Sequence, residues 1–489
     1  MLKGEEKVWY AAFKAKDARF DGRFFVGVSS TGIYCRPVCR AKLPKAENCT
    51  FYATAAEAEQ DGFRPCLLCR PELAPGQAQV DASASLARRA ARLLDDNCGT
   101  GQSLAEISAR LDCTDRHLRR AFAAEYKVSS IQYMQTSKLL LAKNLLTETK
   151  LSVIEVAMAA GFGSLRRFND LFKKNYRPSP TLLRRQSAGQ KEQDGGVSLT
   201  LGYRPPYQWR QILNFLATRA ISGVETIQNG QYLRTVRLPA GGQRIAAGWV
   251  RVGHRPQSNA LTVTVDSTLL PVLPQVLARI RHLFDLYCDP DAIYEALSVM
   301  NDIRPDLCVP GLRLPGCFDA FEMAVRAVLG QQITVKAAGT LAARLAEAYG
   351  PAIQTGLEGL GRLFPSPSEI MALPGPIGDH LGPLGITGAR AGTILELARL
   401  FAEDGPELNV CAQPETAIKK LTGIVGIGSW TAQYIAMRAL GWSDAFPHTD
   451  YGLKKALAPR TLKEMLALAE AWRPWRSYAV VNLWNSLEA

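Results

Sequence analysis

The stretch Leu421-Thr422-Gly423-Ile424-Val425-Gly426-Ile427-Gly428-Ser429-Trp430-Thr431-Ala432 decides how the C-terminal part of this 489-residue chain folds. One helical pattern ends near Leu421 and another starts near Ser429. Between them Gly426 and Gly428 permit a tight hairpin with exposed backbone amides. N–H groups at the start of a helix make a phosphate seat that needs little positive charge. Asp450 stands in AFPHTDYGLKKAL, twenty residues beyond Trp430, where another helix is expected to begin. Alone, an Asp in that place reads as an N-cap.

Outward from the hairpin, residues 311–489 read as helical throughout, punctuated by Gly and Pro. Residues 198–310 alternate differently. VSLTLGY, YLRTVRL after the Asn229-Gly230 turn, RIAAGWVRV and ALTVTVDS are strand patterns. Helices are expected from about Gln208 to Arg219 and from Pro274 to Tyr287. A polar run, Gln186 to Gly196, marks a linker over 187–197, and a weaker break at Pro71–Gly76 divides the front half into 1–80 and 81–186.

Charge follows the same division. Residues 1–190 hold 30 Lys and Arg against 19 Asp and Glu, whereas the remainder holds 28 against 26. A basic front half is the footprint of a polyanionic partner, or merely a basic solvated surface. No run approaches the ~18 apolar residues of a membrane span, and MLKGEEKVWY lacks the apolar core of a secretory signal. A cytoplasmic protein without a membrane partner is expected.

Cys35-x3-Cys39, 26 residues, then Cys66-x2-Cys69 has the form of a structural zinc site in which four thiolates close one Zn²⁺. A module this small would draw folding energy from the metal. Cys49, between the pairs, reads as a core residue. GIYCRPVCRAK, ENCTFY and TAAEAEQDGFRPCLLCRPE resemble the methyl-accepting domain of Ada-type regulators. That resemblance implies that Cys35 takes a methyl group from a DNA methylphosphotriester. The chemistry is consistent: a zinc-held thiolate is the nucleophilic form, and methylating it removes negative charge beside a phosphate backbone. The alternative is a purely structural zinc module.

Residues 103–126 and 152–176 repeat each other. Ser103-x-x-Glu106 and Ser152-x-x-Glu155 both read as capping boxes, each followed by a turn and a second helix, RHLRRAFAAEY or LRRFNDLFKKNY. The two helix-turn-helix units are joined by a long helix around Ser130–Leu146. The layout, and GFGSLRRFNDLFKKNYRPSP in particular, resembles the DNA-binding domain of AraC-type activators. Arg116, Arg119, Arg120, Arg166, Arg167 and Asn169 are then candidate base readers, each with a phosphate contact or a solvated face as the alternative. Promoter DNA and RNA polymerase are the partners implied.

The hairpin and Asp450 resemble the helix-hairpin-helix base-excision superfamily, which implies that Asp450 is catalytic. Its lyase members carry a lysine where this chain has Trp430, and no four-cysteine iron–sulfur loop follows Asp450, so base release without strand cleavage is expected. LGYRPPYQWRQILNFLATRAISGVET, GLRLPGCFDAFEMAVRAVLGQQIT and WRPWRSYAVVNLW resemble the AlkA-type 3-methyladenine glycosylases II. That resemblance implies a cleft lined by Trp430, Tyr434 and Trp484, for which the bland alternative is core packing. It also implies a duplex wedge at Gln332, where a well-known member has leucine, and a monovalent cation held by hairpin carbonyls. Electron-rich rings would hold a flipped N3- or N7-alkylated purine by cation–π stacking without reading its edge. Such a base is already a good leaving group and requires no general acid. His448 reads as a neighbour only.

The expected fold is multidomain and mainly α with α+β. It comprises a four-cysteine zinc module (1–80), an AraC-like double helix-turn-helix (81–186), a small antiparallel α+β, TBP-like domain (198–310) and an all-α helix-hairpin-helix glycosylase core (311–489). The expected function is removal of alkylated purines, fused to a sensor that activates transcription. The alternative is a regulator whose glycosylase-like half only clamps DNA.

Overall fold

The computed structural model describes residues 4–17, 20–74, 90–91, 93–94, 104–111, 113–186, 196–240, 244–404 and 414–487. In the N-terminal module β1 (Phe25–Val28) pairs antiparallel with β2 (Ile33–Cys35) and with β3 (Cys49–Tyr52). A parallel pairing of β2 with the short β4 (Arg64–Pro65) closes the sheet in the order β3-β1-β2-β4. The Cys66 amide extends this pairing by donating to the Tyr34 carbonyl at 3.0 Å. Parallel strands run off the same end of a sheet, so the loops after Cys35 and after Pro65 meet.

Helices follow over Leu104–Arg110, Asp115–Tyr126, Ser130–Glu148, Val153–Ala159, Leu165–Tyr176 and Pro180–Gln186. The expected cap at Ser103 lies outside the described residues. Its counterpart forms: the Ser152 hydroxyl accepts from the Glu155 amide, and the Glu155 carboxylate accepts from the Ser152 amide at 2.7 Å. The repeat holds in packing, with Phe122 and Phe172 fully buried and Tyr126 and Tyr176 nearly so. Most of the expected linker, residues 187–195, also lies outside the described residues.

The back half opens on β5 (Gly196–Gly202). With β6 (Glu225–Gln228), β7 (Gln231–Pro239), β8 (Ile245–Arg255) and β9 (Ala260–Asp266) it forms an antiparallel sheet in the order β5-β9-β8-β7-β6. Asn229 and Gly230 both take positive φ (+51° and +70°), the condition for a tight two-residue hairpin. The helices expected around this sheet run over Trp209–Ala217 and Leu273–Leu283, the second entered through a 3₁₀ turn at Ser267–Val272. Among the described residues from Ala320 onward the regular elements are all helices, apart from isolated bridges. No helix of the described residues is long and apolar enough to cross a membrane.

The halves share packing. Leu139 and Leu146 of the long helix and Phe172 of the second helix-turn-helix belong to one apolar core with Leu199, Val263 and Leu277. The β5 edge is capped by Glu148, whose carboxylate accepts from the Thr200 amide at 2.8 Å and from Arg70 at 2.7 Å. Arg23 of the zinc module pairs with Asp289 of the back half. Beside Cys35, the Tyr34 hydroxyl donates to Glu59 at 2.9 Å, and the hydroxyls of Thr136 (3.0 Å) and Tyr176 (3.5 Å) donate to the same carboxyl. One side chain thus ties the zinc module to both the long helix and the second reading helix.

Burial drives Glu59 up from 4.5 to about 7, against those three hydrogen bonds and the attraction of Lys143. A carboxyl raised in the folded state stabilises it below the unfolded value and loses that contribution as pH rises. Thermal stability of this seam should therefore fall between about pH 4.5 and 7. Glu59→Gln should flatten that dependence, measured as Tm against pH. An unchanged slope would show that Glu59 does not carry it.

Candidate active site and metal centre

The hairpin is built as its glycines suggest, with one distinction. Helix Pro414–Thr422 ends before it and helix Ser429–Arg438 starts after it. Gly426 takes φ +92°, and a Cβ there would lie 2.2 Å from the Thr393 hydroxyl, which itself donates to the Val425 carbonyl at 2.9 Å. Gly428 is extended, with open space where a side chain would stand, and it is the N-cap residue of the second helix. Val425, at the tip, is 89% exposed.

Behind the hairpin lies a cleft of about 1120 Å³ that Trp430, Tyr434, Asp450, Trp484, Gln332, Gly426 and Gly428 all line. Asp450 is indeed an N-cap, of helix Tyr451–Ala456, its Oδ1 accepting from the Leu453 amide at 3.1 Å. It is more than a cap. Indole Nε1 of Trp484 donates to Oδ1 at 3.0 Å and Nε1 of Trp430 donates to Oδ2 at 2.9 Å. Among the described residues Asp450 is the one carboxylate lining the cleft.

The rings do not sandwich an empty slot. Trp430 and Tyr434 stack on each other at 5.3 Å and 6°, forming one continuous wall, with Trp484 tilted against Tyr434 at 6.1 Å. Gln332 lines the cleft but is exposed, and it takes φ +55°, a left-handed conformation uncommon for a residue with a side chain. Three residues not singled out in the sequence also line the cleft: Arg219, Arg326 and Arg438. Arg438 donates to the Tyr434 hydroxyl at 2.8 Å and to the carbonyls of Pro315 and Gly316. Arg326 is neutralised by Glu225 and Glu322, each at 3.0 Å. Burial pushes the Tyr434 hydroxyl up, but Arg438, Arg219 and Arg326 together outweigh it and leave it below its ordinary value.

In the front half, the sulfurs of Cys35, Cys39, Cys66 and Cys69 lie within 4.8 Å of one another. Tetrahedral Zn²⁺ with Zn–S near ~2.3 Å sets sulfurs roughly 3.8 Å apart, and Cys39 Sγ and Cys66 Sγ are 4.0 Å apart. The donor set and spacing fit that ion. Arg36 braces the site: its amide donates to Cys69 Sγ at 3.3 Å while its guanidinium holds the Cys69 carbonyl and the buried Asp21. Cys49 is buried apart from the four. On the reading helices Arg116, Arg120, Arg166 and Arg167 are exposed and Asn169 is half-buried. Arg119 is exposed but paired with Asp115 at 2.9 Å.

Three family models match the chain: the metal-binding domain of Ada over residues 8–72, a helix-turn-helix domain over 107–186 and the AlkA N-terminal domain over 198–319. A Mycobacterium tuberculosis protein named "Probable bifunctional transcriptional activator/DNA repair enzyme AlkA" is 37% identical over 98% of this chain and 96% of its own. The chain belongs to this family of bifunctional activator and repair proteins. DNA-3-methyladenine glycosylase 2 of Escherichia coli is 37% identical over 58% of this chain and 96% of its own. The E. coli bifunctional transcriptional activator/DNA repair enzyme Ada is 38% identical over 24% of this chain and 32% of its own. The two halves of this AlkA-family chain thus match separate proteins, and the fusion joins a zinc-binding, helix-turn-helix front to a glycosylase-type back.

The two indoles that hold Asp450 also set a test. Trp484→Phe keeps a ring but removes one N–H from a charged acceptor, an interaction worth roughly 1.5–3 kcal/mol. Turnover in base release is expected to fall roughly tenfold or more with KM little changed. A change in KM alone would assign Trp484 to stacking only.

Proposed function

We propose that the back half is a monofunctional DNA glycosylase that hydrolyses the N-glycosidic bond of alkylated purines of the 3-methyladenine and 7-methylguanine class. The front half is a stoichiometric methylphosphotriester sensor and transcriptional activator. The observation that carries the first part is the Asp450 carboxylate, held on both oxygens by indole N–H groups in an aromatic cleft beside the hairpin. A fixed anion there stabilises the positive charge that develops on the sugar as the base departs, or orients the attacking water. The amides of the hairpin seat a backbone phosphate, and Gln332 fills the space left by the flipped nucleotide. Trp430 takes the place a lyase lysine would need, which supports base release without strand scission.

In the front half Cys35 is the methyl acceptor. Its sulfur attacks the methyl carbon of the phosphotriester, the C–O bond breaks, and the electron pair leaves on a phosphate oxygen. A thioether and an ordinary phosphodiester result. Zn²⁺ held by Cys35, Cys39, Cys66 and Cys69 supplies a thiolate at neutral pH and folds the module. The exposed Arg116, Arg120, Arg166 and Arg167 offer phosphate and guanine contacts, and Arg119 can do so by exchanging Asp115 for DNA. RNA polymerase is the partner an activator requires.

Two measurements test these assignments. Free alkylated bases released from methylated DNA should fall on the order of a hundredfold or more in Asp450→Asn. Equal release by the variant, or none by either protein, would overturn the enzyme reading. After incubation with methylated DNA, peptide mapping should find one methyl group on Cys35. Its absence from all four cysteines, with zinc retained, would overturn the sensor reading.

A further inference from the structure

The cleft holds a polar group that a purely stacking pocket would not need. Tyr434 presents its ring to Trp430, but its hydroxyl accepts from Arg438 at 2.8 Å. Among the described residues no acceptor takes the Tyr434 proton, and Tyr434, Arg438, Arg219 and Arg326 all line the cleft. Arg438 lies with its guanidinium carbon 5.6 Å from the Tyr434 ring centre and 4.7 Å from that of Phe215, and it is pinned by the Pro315 and Gly316 carbonyls. Arg219 lies 3.8 Å over the same Phe215 ring. Arg326 donates to the Arg219 backbone carbonyl, which ties those two residues together.

A phenol whose lone pair is occupied by a guanidinium has its proton left to give. With cationic groups on one side and an open cleft on the other, the proton is directed at whatever enters the cleft. The matching group is a hydrogen-bond acceptor. An exocyclic amino group placed there would meet a second donor.

Resting on the glycosylase reading above, we infer that Tyr434 is a specificity-determining residue whose hydroxyl, braced by Arg438, donates to a flipped base with an acceptor edge, favouring alkylated purines that carry an exocyclic carbonyl. Stacking on the Trp430–Tyr434 wall is common to all flipped purines; the hydroxyl discriminates among them. A neutral hydrogen bond lost in a closed site leaves its partner unsatisfied, and the discrimination comes from that.

Tyr434→Phe keeps the ring and removes only the donor. Release of 7-methylguanine and of 3-methyladenine is compared in the same variant, so that any loss of folded protein cancels in the ratio. The expected result is a fall of kcat/KM for 7-methylguanine on the order of tenfold greater than for 3-methyladenine. Equal losses for the two bases, or a larger loss for 3-methyladenine, would overturn the assignment of Tyr434. Release of neither base by the wild-type protein would instead overturn the glycosylase reading on which it rests.

Discussion

One carboxylate collects three separately built elements. Asp450 opens its own helix, Trp430 comes from the first turn after the hairpin and Trp484 from the last helix, Arg476–Asn485. Each donor to the carboxylate is an N–H that would otherwise sit half-buried beside an apolar core. On the reading proposed above, the cap and the reactive anion are the same group. The requirements agree, because the helix N-terminus and the two indoles all donate to the carboxylate and hold it in one orientation. Gly452 enforces the arrangement: a Cβ there would meet Asp450 Oδ1 and Trp484 Cδ1, both at 3.0 Å.

The front half is fixed by an equally local device. The parallel pairing of β2 with β4 determines that two cysteine pairs separated in sequence share one point in space. Residues adjoining those cysteines then turn outward to hold the next domain. Arg70, after Cys69, binds Asn144, Thr147 and Glu148 of the long helix, and the buried Lys143 reaches Glu72 at 2.6 Å. Glu148 passes the contact to β5. The zinc module, the helix-turn-helix units and the glycosylase-type half are thereby joined through polar seams among the described residues.

Much of this was legible in the sequence, wherever local chemistry decides local structure. The capping box at Ser152, the Asn229-Gly230 hairpin, the cysteine spacing and the glycine hairpin before Trp430 all rest on interactions within a few residues. The donor floor of the cleft was not legible. Arg219 comes from the turn after helix Trp209–Ala217 and Arg326 from helix Ala320–Leu329, and they are joined through the Arg219 carbonyl and Glu225, about a hundred residues away in the chain from Arg326. Arg438 alone carried a signal, standing one helical turn beyond Tyr434. The rings of Trp430 and Trp484 were read for their faces, whereas the structure also uses their N–H edges. Only tertiary contact distinguishes those uses.

The floor also alters how charge in the cleft is understood. Aromatic walls alone suit a base that arrives as a cation, and three guanidinium groups near it would oppose that arrival. Glu225 and Glu322 offset part of this charge, leaving a surface rich in donors whose cationic character is muted. As the glycosidic bond breaks, its electron pair moves onto the base, and positive charge appears on the sugar. A site with fixed donors on the base side and a fixed anion on the sugar side is better matched to that separation than to the bound substrate. Interactions that strengthen as the bond lengthens are the ones that accelerate the reaction. On the glycosylase reading proposed above, arginines that would oppose the arrival of a charged base would favour its departure.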